Sequence, residues 1–163
     1  MPDSTAPYRE MPVHDEFVPE DLFSEFMTRM PQVCVDLLFE TDEGILLTKR
    51  TAYPRVWFWP GSRLYKGERL EAAAHRIARE ELGVEVRILN QYGPYEHFWH
   101  NSGVEGSPSR HTVTPAFHVE PANDEFDITL DDQHDEYRFI TELEDGLHEY
   151  VTQYLEDTNL LSQ

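Results

Sequence analysis

The chain has 163 residues, enough for one domain with a buried core, and its 32 acidic against 13 basic residues leave a formal charge of -19. That balance excludes a DNA- or RNA-binding role, because no basic stripe supplies phosphate contacts, and no apolar run approaches the roughly 20 residues needed to cross a bilayer. With 39% hydrophobic residues and aromatics spread throughout, the chain is expected to fold rather than remain disordered.

Only Lys49 and Lys66 are lysines, and the acids are scattered instead of forming one block. An acidic, lysine-poor surface suits a salt-rich cytoplasm, where a Debye length of about 3 Å at 1 M mutes self-repulsion, so a halophilic source is expected. The N-terminus MPDSTAPYREMPVHDE has neither a charged n-region nor an apolar h-region. Cys34 is alone and has no disulfide partner within the chain, so a reducing cytoplasm is the expected compartment.

Residues 1–18, rich in Pro and charge, read as a mobile arm, and 19–163 as one domain. Leu22, Phe23, Phe26, Met27 and Met30 recur at helical spacing and stop at Pro31. Val33 to Phe39 and Ile45 to Lys49 read as a hairpin around Thr41-Asp42-Glu43-Gly44, and Trp57-Phe58-Trp59 as a short strand before a glycine loop. A helix is predicted from Leu70 to Leu82 with Gly83 as its stop. Strands follow at Val84 to Gln91, Tyr95 to Trp99, His111 to Glu120 and Tyr137 to Thr141. His100 to Arg110 reads as a mobile loop, and a last helix runs from about Asp145 to Leu155. The order predicts an α+β fold, with helices on a mainly antiparallel or mixed sheet.

The segment Pro60 to Gly83 carries the chemistry. Its helix ends in Glu80 and Glu81, adjacent carboxylates at a terminus where the dipole disfavours them. A hard cation such as Mg²⁺, which takes one or two carboxylates and completes its shell with water and phosphate, would relieve this; a solvated acidic patch is the alternative. Arg76 is placed to meet phosphate or to pair with Glu68 or Glu80.

This segment resembles the Nudix family, whose box reads Gly, five residues, Glu, seven residues, Arg-Glu-apolar-x-Glu-Glu-x-Gly-apolar. Glu68, Arg76, Ala78, Glu80, Glu81, Gly83 and Val84 fall at matching places. Ser62 stands for the opening glycine, beside Gly61, and Ile77 for the first metal-binding glutamate. The resemblance implies a Nudix-type α/β/α sandwich with a mixed sheet between helices. An apolar residue at position 77 looks like the GDP-mannose mannosyl hydrolase branch. Val35-Asp36, Lys49-Arg50-Thr51, Tyr92-Gly93 to His97-Phe98 and Asp132-Gln133-His134-Asp135-Glu136-Tyr137-Arg138 fall in order as in that group.

That branch implies Mg²⁺-dependent hydrolysis, with Mn²⁺ as a substitute, of a GDP-sugar such as GDP-mannose or GDP-glucose. Water attacks the anomeric carbon with inversion and GDP leaves. By the same resemblance the metal ligands are the Gly61 carbonyl, Glu81 and Gln133, with Glu80 a further candidate, and His134 is the general base. Arg50, Arg63 and Arg76 assist the diphosphate, Asp36 and His97 lie near the sugar or phosphate, and a homodimer is expected. The residues themselves agree in part. An imidazole can accept a proton near neutral pH, a carboxylate inside an apolar strand such as Asp36 is costly without a partner, and His97 reads equally as core packing or sugar contact.

Two features differ from that branch. Glu80 stands where those enzymes carry a small apolar residue, and the tyrosine they place after the histidine matching His111 is here Thr112. Two other readings remain: a conventional Nudix pyrophosphohydrolase cutting P–O–P bonds, and a non-catalytic nucleotide-sugar sensor.

Overall fold

The first strand decides the architecture. In β1 (Gln32–Thr41) residues 34 to 39 are all buried. Side chains alternate between the faces of a sheet, so Val35, Leu37 and Phe39 enter one core and Leu38 enters another. A strand buried on both faces has to lie inside a three-layer arrangement. The computed structural model, which describes residues 10–51, 55–100 and 109–161, has that form: an α/β/α sandwich around a mixed sheet.

After α1 (Glu20–Arg29), β1 turns into β2 (Gly44–Arg50), and then come β3 (Trp57–Phe58) and β4 (Gly61–Arg63). Helix α2 (Leu70–Ile77) continues as a single π-helical turn, Ala78–Leu82, before β5 (Val86–Trp99), β6 (Arg110–Pro121), β7 (His134–Ile140) and α3 (Glu149–Thr158). The sheet order is β3-β2-β1-β6-β5, with β4 on β1 and β7 on β2. β1 and β6 are parallel and the other pairs antiparallel. On one face Ala73, Ala74, Ile77 and Leu82 pack on Val35, Leu37 and Phe117. On the other, Val151, Tyr154 and Leu155 of α3 pack on Leu38, Leu47 and Trp59.

One irregularity creates the site. β1 and β2 pair only beside their turn, at Glu40↔Ile45 and Thr41↔Gly44. Farther along, β1 takes β4 as its partner and β2 takes β7. Asp36 thereby faces Gly61 across β1 and β4, and Arg50 faces His134 across β2 and β7.

Several boundaries differ from those the sequence suggests. The two strands expected at Val84 to Gln91 and Tyr95 to Trp99 are one, β5, because register shifts at Ile88/Asn90 and Tyr92/Tyr95 absorb Gly93 and Pro94 without ending the pairing. The glycine loop contains β4, a short strand paired with β1 alone, so it is part of the sheet rather than a free loop. β7 begins at His134, three residues before the expected Tyr137, and α3 begins at Glu149 where Asp145 was expected. Of the expected loop from His100 to Arg110, residues 101–108 lie outside the described residues, and Arg110 already belongs to β6. Of the expected arm, residues 1–9 also lie outside them, but the His14 N–H donates to the Lys66 carbonyl at 2.9 Å. Gly67 at that contact has φ +88, and a Cβ there would stand 2.3 Å from the Pro12 carbonyl oxygen.

Candidate active site

A cavity of about 360 Å³ opens where β1 and β2 part. It brings together Asp36, Arg50, Gly61, Arg63, His97, Gln133 and His134. These residues come from β1, β2, β4, β5, β7 and the turn before β7, so the constellation exists only in the folded chain.

Glu81 lies in the π-helical turn, a widened turn of the kind that often marks functional positions. The residue is 4% exposed and its Oε2 has no hydrogen-bond partner among the described residues. Burial pushes its pKa well above the usual carboxylate range; Asp131 and Asp36 push the same way, while a hydrogen bond from the Gly61 backbone and the charge of Arg50 oppose. Ligand atoms of Glu81, Asp131 and His134 lie within 4.8 Å of one another. A buried carboxylate oxygen without a donor, beside a second acid and an imidazole, suits a divalent cation, which would restore the charged form.

His134 is 8% exposed at the start of β7. Its Nδ1–H donates to Asp131 Oδ1 at 2.6 Å, and its Nε2 lies 3.9 Å from Glu81 Oε1. With Nδ1 committed as donor, Nε2 keeps its lone pair. The turn holding both residues is fixed to the end of β2 by the Thr51 N–H, which donates to the Gln133 carbonyl at 2.9 Å. The Gln133 N–H also donates to Asp131 Oδ1 at 3.3 Å.

Asp36 and His97 meet through a third residue. Tyr154 of α3 donates its hydroxyl proton to Asp36 Oδ2 at 2.7 Å, and its oxygen lies 3.0 Å from His97 Nε2, which therefore carries the proton. Burial pushes the Asp36 carboxyl up to about 7 despite the tyrosine bond. Burial, with smaller contributions from His148 and Arg110, lowers His97 to about 4. Gly61 is required beside them: a Cβ would stand 2.1 Å from Asp36 Oδ1 and 2.9 Å from the Val35 carbonyl oxygen.

The remaining residues singled out in the sequence separate. Arg50 and Arg63 reach the cavity, the latter with its guanidinium 4.6 Å from the Tyr65 ring centre. Arg76 does not line it. Its donors go to Glu68 at 2.7 and 3.0 Å, to Glu80 at 3.1 Å and to the Arg63 carbonyl at 3.0 Å, which ties the loop before α2 to the helix. Glu80 is exposed in that pair, outside the cavity, and Ile77 is fully buried in the α2-side core. Asp131, Tyr154 and Arg110 were not singled out in the sequence. Asp131, three residues before His134, carried a local signal; Tyr154, in the last helix, carried none.

Fold, box and cavity define a NUDIX-type domain, and the chain belongs to the NUDIX domain family, whose model matches residues 28–154. Among particular relatives, it is 38% identical over 141 residues to the "Low-salt glycan biosynthesis protein Agl8" of Haloferax volcanii, covering 85% of this chain and 89% of that one. A NUDIX hydrolase from Nitrosomonas europaea superposes with a TM-score of 0.62 at 22% identity, over 79% of this chain and 88% of that chain. A MutT NUDIX hydrolase from Burkholderia pseudomallei gives 0.58 at 24%, over 78% and 98%. At these identities the two structures establish a shared fold.

Proposed function

We propose that the chain is a metal-dependent hydrolase of a nucleoside-diphosphate sugar, of the GDP-hexose type, that directs water to the anomeric carbon. The observation that carries this reading is the single box carboxylate buried against the cavity-lining histidine: Glu81 stands 3.9 Å from His134, which Asp131 orients. The other two box positions contribute no ligand there: Ile77 is core and Glu80 is paired with Arg76 at the surface. The 38% identical relative, named for glycan biosynthesis, supports a sugar-nucleotide substrate.

In this reading His134 Nε2 takes a proton as the water oxygen bonds to the sugar carbon. The carbon–oxygen bond breaks with its electron pair going to the β-phosphate, and free sugar and nucleoside diphosphate result. Arg50 and Arg63 offer positive charge to the departing diphosphate. Asp36 and His97, held by Tyr154, offer an acceptor and a ring edge to sugar hydroxyls. Glu81 would hold Mg²⁺ or Mn²⁺, with Asp131, Gln133 and the Gly61 carbonyl as further donors at hand. The ion would supply positive charge against the leaving group.

Products test the proposal. With GDP-mannose and Mg²⁺ it gives GDP and mannose, with oxygen-18 from water in the sugar. GMP and mannose 1-phosphate, with label in phosphate, would establish P–O–P cleavage instead, and no turnover would leave a sensor.

A further inference from the structure

Two groups of arginines stand out among the described residues. Arg29, Arg55, Arg76, Arg79, Arg87 and Arg138 each pair with a carboxylate, as expected in so acidic a protein. Arg50, Arg63 and Arg110 all line the cavity, and among the described residues none of these three has a carboxylate within ion-pair distance.

Arg110 enters from the start of β6. Its Nε–H donates to Gln32 Oε1 at 3.0 Å and an Nη2–H reaches Cys34 Sγ at 3.5 Å. Both acceptors are uncharged, since burial raises the pKa of the Cys34 thiol. The guanidinium is therefore aimed by neutral groups, no carboxylate among the described residues pairs with it, and it keeps further N–H groups for a ligand. It also repels Arg50 across the cavity. Like charges held together in a partly buried space are relieved by an anion lying between them, most effectively one with several charged oxygens.

We propose that Arg110 binds the diphosphate of the substrate together with Arg50 and Arg63. It is the third cation of the cradle, a place that Arg76 cannot fill because Glu68, Glu80 and the Arg63 carbonyl occupy its donors. The proposal rests on the cavity being a nucleoside-diphosphate-sugar site, and it deepens that reading. The leaving diphosphate gains negative charge as the carbon–oxygen bond breaks, so a third fixed cation favours the transition state over the bound substrate.

The test is calorimetric binding of inorganic pyrophosphate, GDP and GMP in Mg²⁺ buffer at fixed salt, with wild type, Arg110→Gln and Arg110→Lys. Arg110→Gln should weaken pyrophosphate and GDP by about 10- to 100-fold, the usual worth of a charge-assisted pair, with a much smaller loss for GMP. Arg110→Lys, which keeps the charge and is the fallback if the glutamine variant fails to fold, should weaken both by less than about 10-fold. Unchanged pyrophosphate affinity in both variants would overturn the proposal. So would an equal loss for GMP, or a wild type that binds no pyrophosphate. The labelled-water experiment fails separately: label in phosphate with Arg110 still required for pyrophosphate would sink carbon attack and leave this assignment standing.

Discussion

His134 Nδ1 lies 2.6 Å from Asp131 Oδ1 while Nε2 of the same ring faces Glu81 Oε1 at 3.9 Å. The first contact is a hydrogen bond that fixes tautomer and ring plane. The second is too long for one and leaves Nε2 available to a water.

Two variants should separate these roles. His134→Gln should lower kcat by about 10²- to 10⁴-fold, the range for losing a general base, with the melting temperature little changed. Asp131→Asn leaves the base present but poorly oriented and should cost about 10- to 100-fold, as for groups that act by orienting a catalytic neighbour. Steady-state kinetics with GDP-mannose reads both. Near-normal turnover of His134→Gln would remove His134 from the mechanism.

The box glutamates should behave unequally. Glu81 is buried beside His134 with an unpartnered oxygen, so Glu81→Gln should reduce activity by more than the roughly 100-fold typical of merely orienting groups and abolish the response to Mg²⁺ titration. Glu80 is exposed and sits in an i,i+4 pair with Arg76, worth about 0.3–0.5 kcal/mol. Glu80→Gln should therefore keep activity within a few-fold. A loss at Glu80 as large as that at Glu81 would indicate a second metal and favour P–O–P cleavage.

The difference between these two glutamates shows what the sequence could and could not convey. The box is contiguous, so its helix and the Gly83 stop could be read from spacing, while the approach of Glu81 to Gly61 was implied by the family resemblance. Which of two adjacent carboxylates is buried beside His134 depends on the π-helical turn and on Arg76 choosing Glu68 and Glu80. Spacing alone carries neither. β4 was hidden because Gly61-Ser62-Arg63 has no strand composition and pairs only because β1 lacks another neighbour there. Tyr154 reaches Asp36 from 118 positions away, and helical periodicity explains its burial without predicting its hydroxyl contact. Arg110 stood at the edge of an expected loop, and that no carboxylate among the described residues pairs with it is visible only in the folded chain.

The Asp36–Tyr154–His97 chain makes a signed prediction for stability. Asp36 moves from 3.8 to about 7 on folding, so its contribution is present below pH 4 and is lost as pH rises toward 7. His97 moves from 6.5 to about 4, so its contribution is present above pH 6.5 and is lost as pH falls. The two oppose each other through the acid range. Asp36→Asn removes only the first, so the melting temperature of the variant relative to wild type should climb between pH 4 and 7 in metal-free buffer. Tyr154→Phe withdraws a donor that favours the charged form and should cost about 1–3 kcal/mol, more at pH 8 than at pH 5. A pH-independent difference for both variants would show that Asp36 is not the group titrating.

Salt should act in a direction set by the whole surface. A formal charge of -19 on 163 residues repels itself over a Debye length of about 30 Å at 0.01 M, and that length shrinks to about 3 Å at 1 M. Most of the acids sit on the surface, so screening should raise the melting temperature steeply between 0.01 and 0.5 M KCl and more slowly beyond. Replacing KCl with an equal concentration of sucrose separates charge screening from exclusion of cosolute, because only the salt should give the steep first phase. The repulsion of a diphosphate by the same surface is long-ranged and is screened in that range too, whereas contacts to Arg50 and Arg63 are short and partly buried. Substrate KM should therefore fall as salt first rises, opposite to the behaviour of a basic protein that attracts its anionic ligand at long range. A melting temperature that falls between 0.1 and 2 M KCl, with the protein cooperatively folded in dilute buffer, would rule out adaptation to a salt-rich cytoplasm.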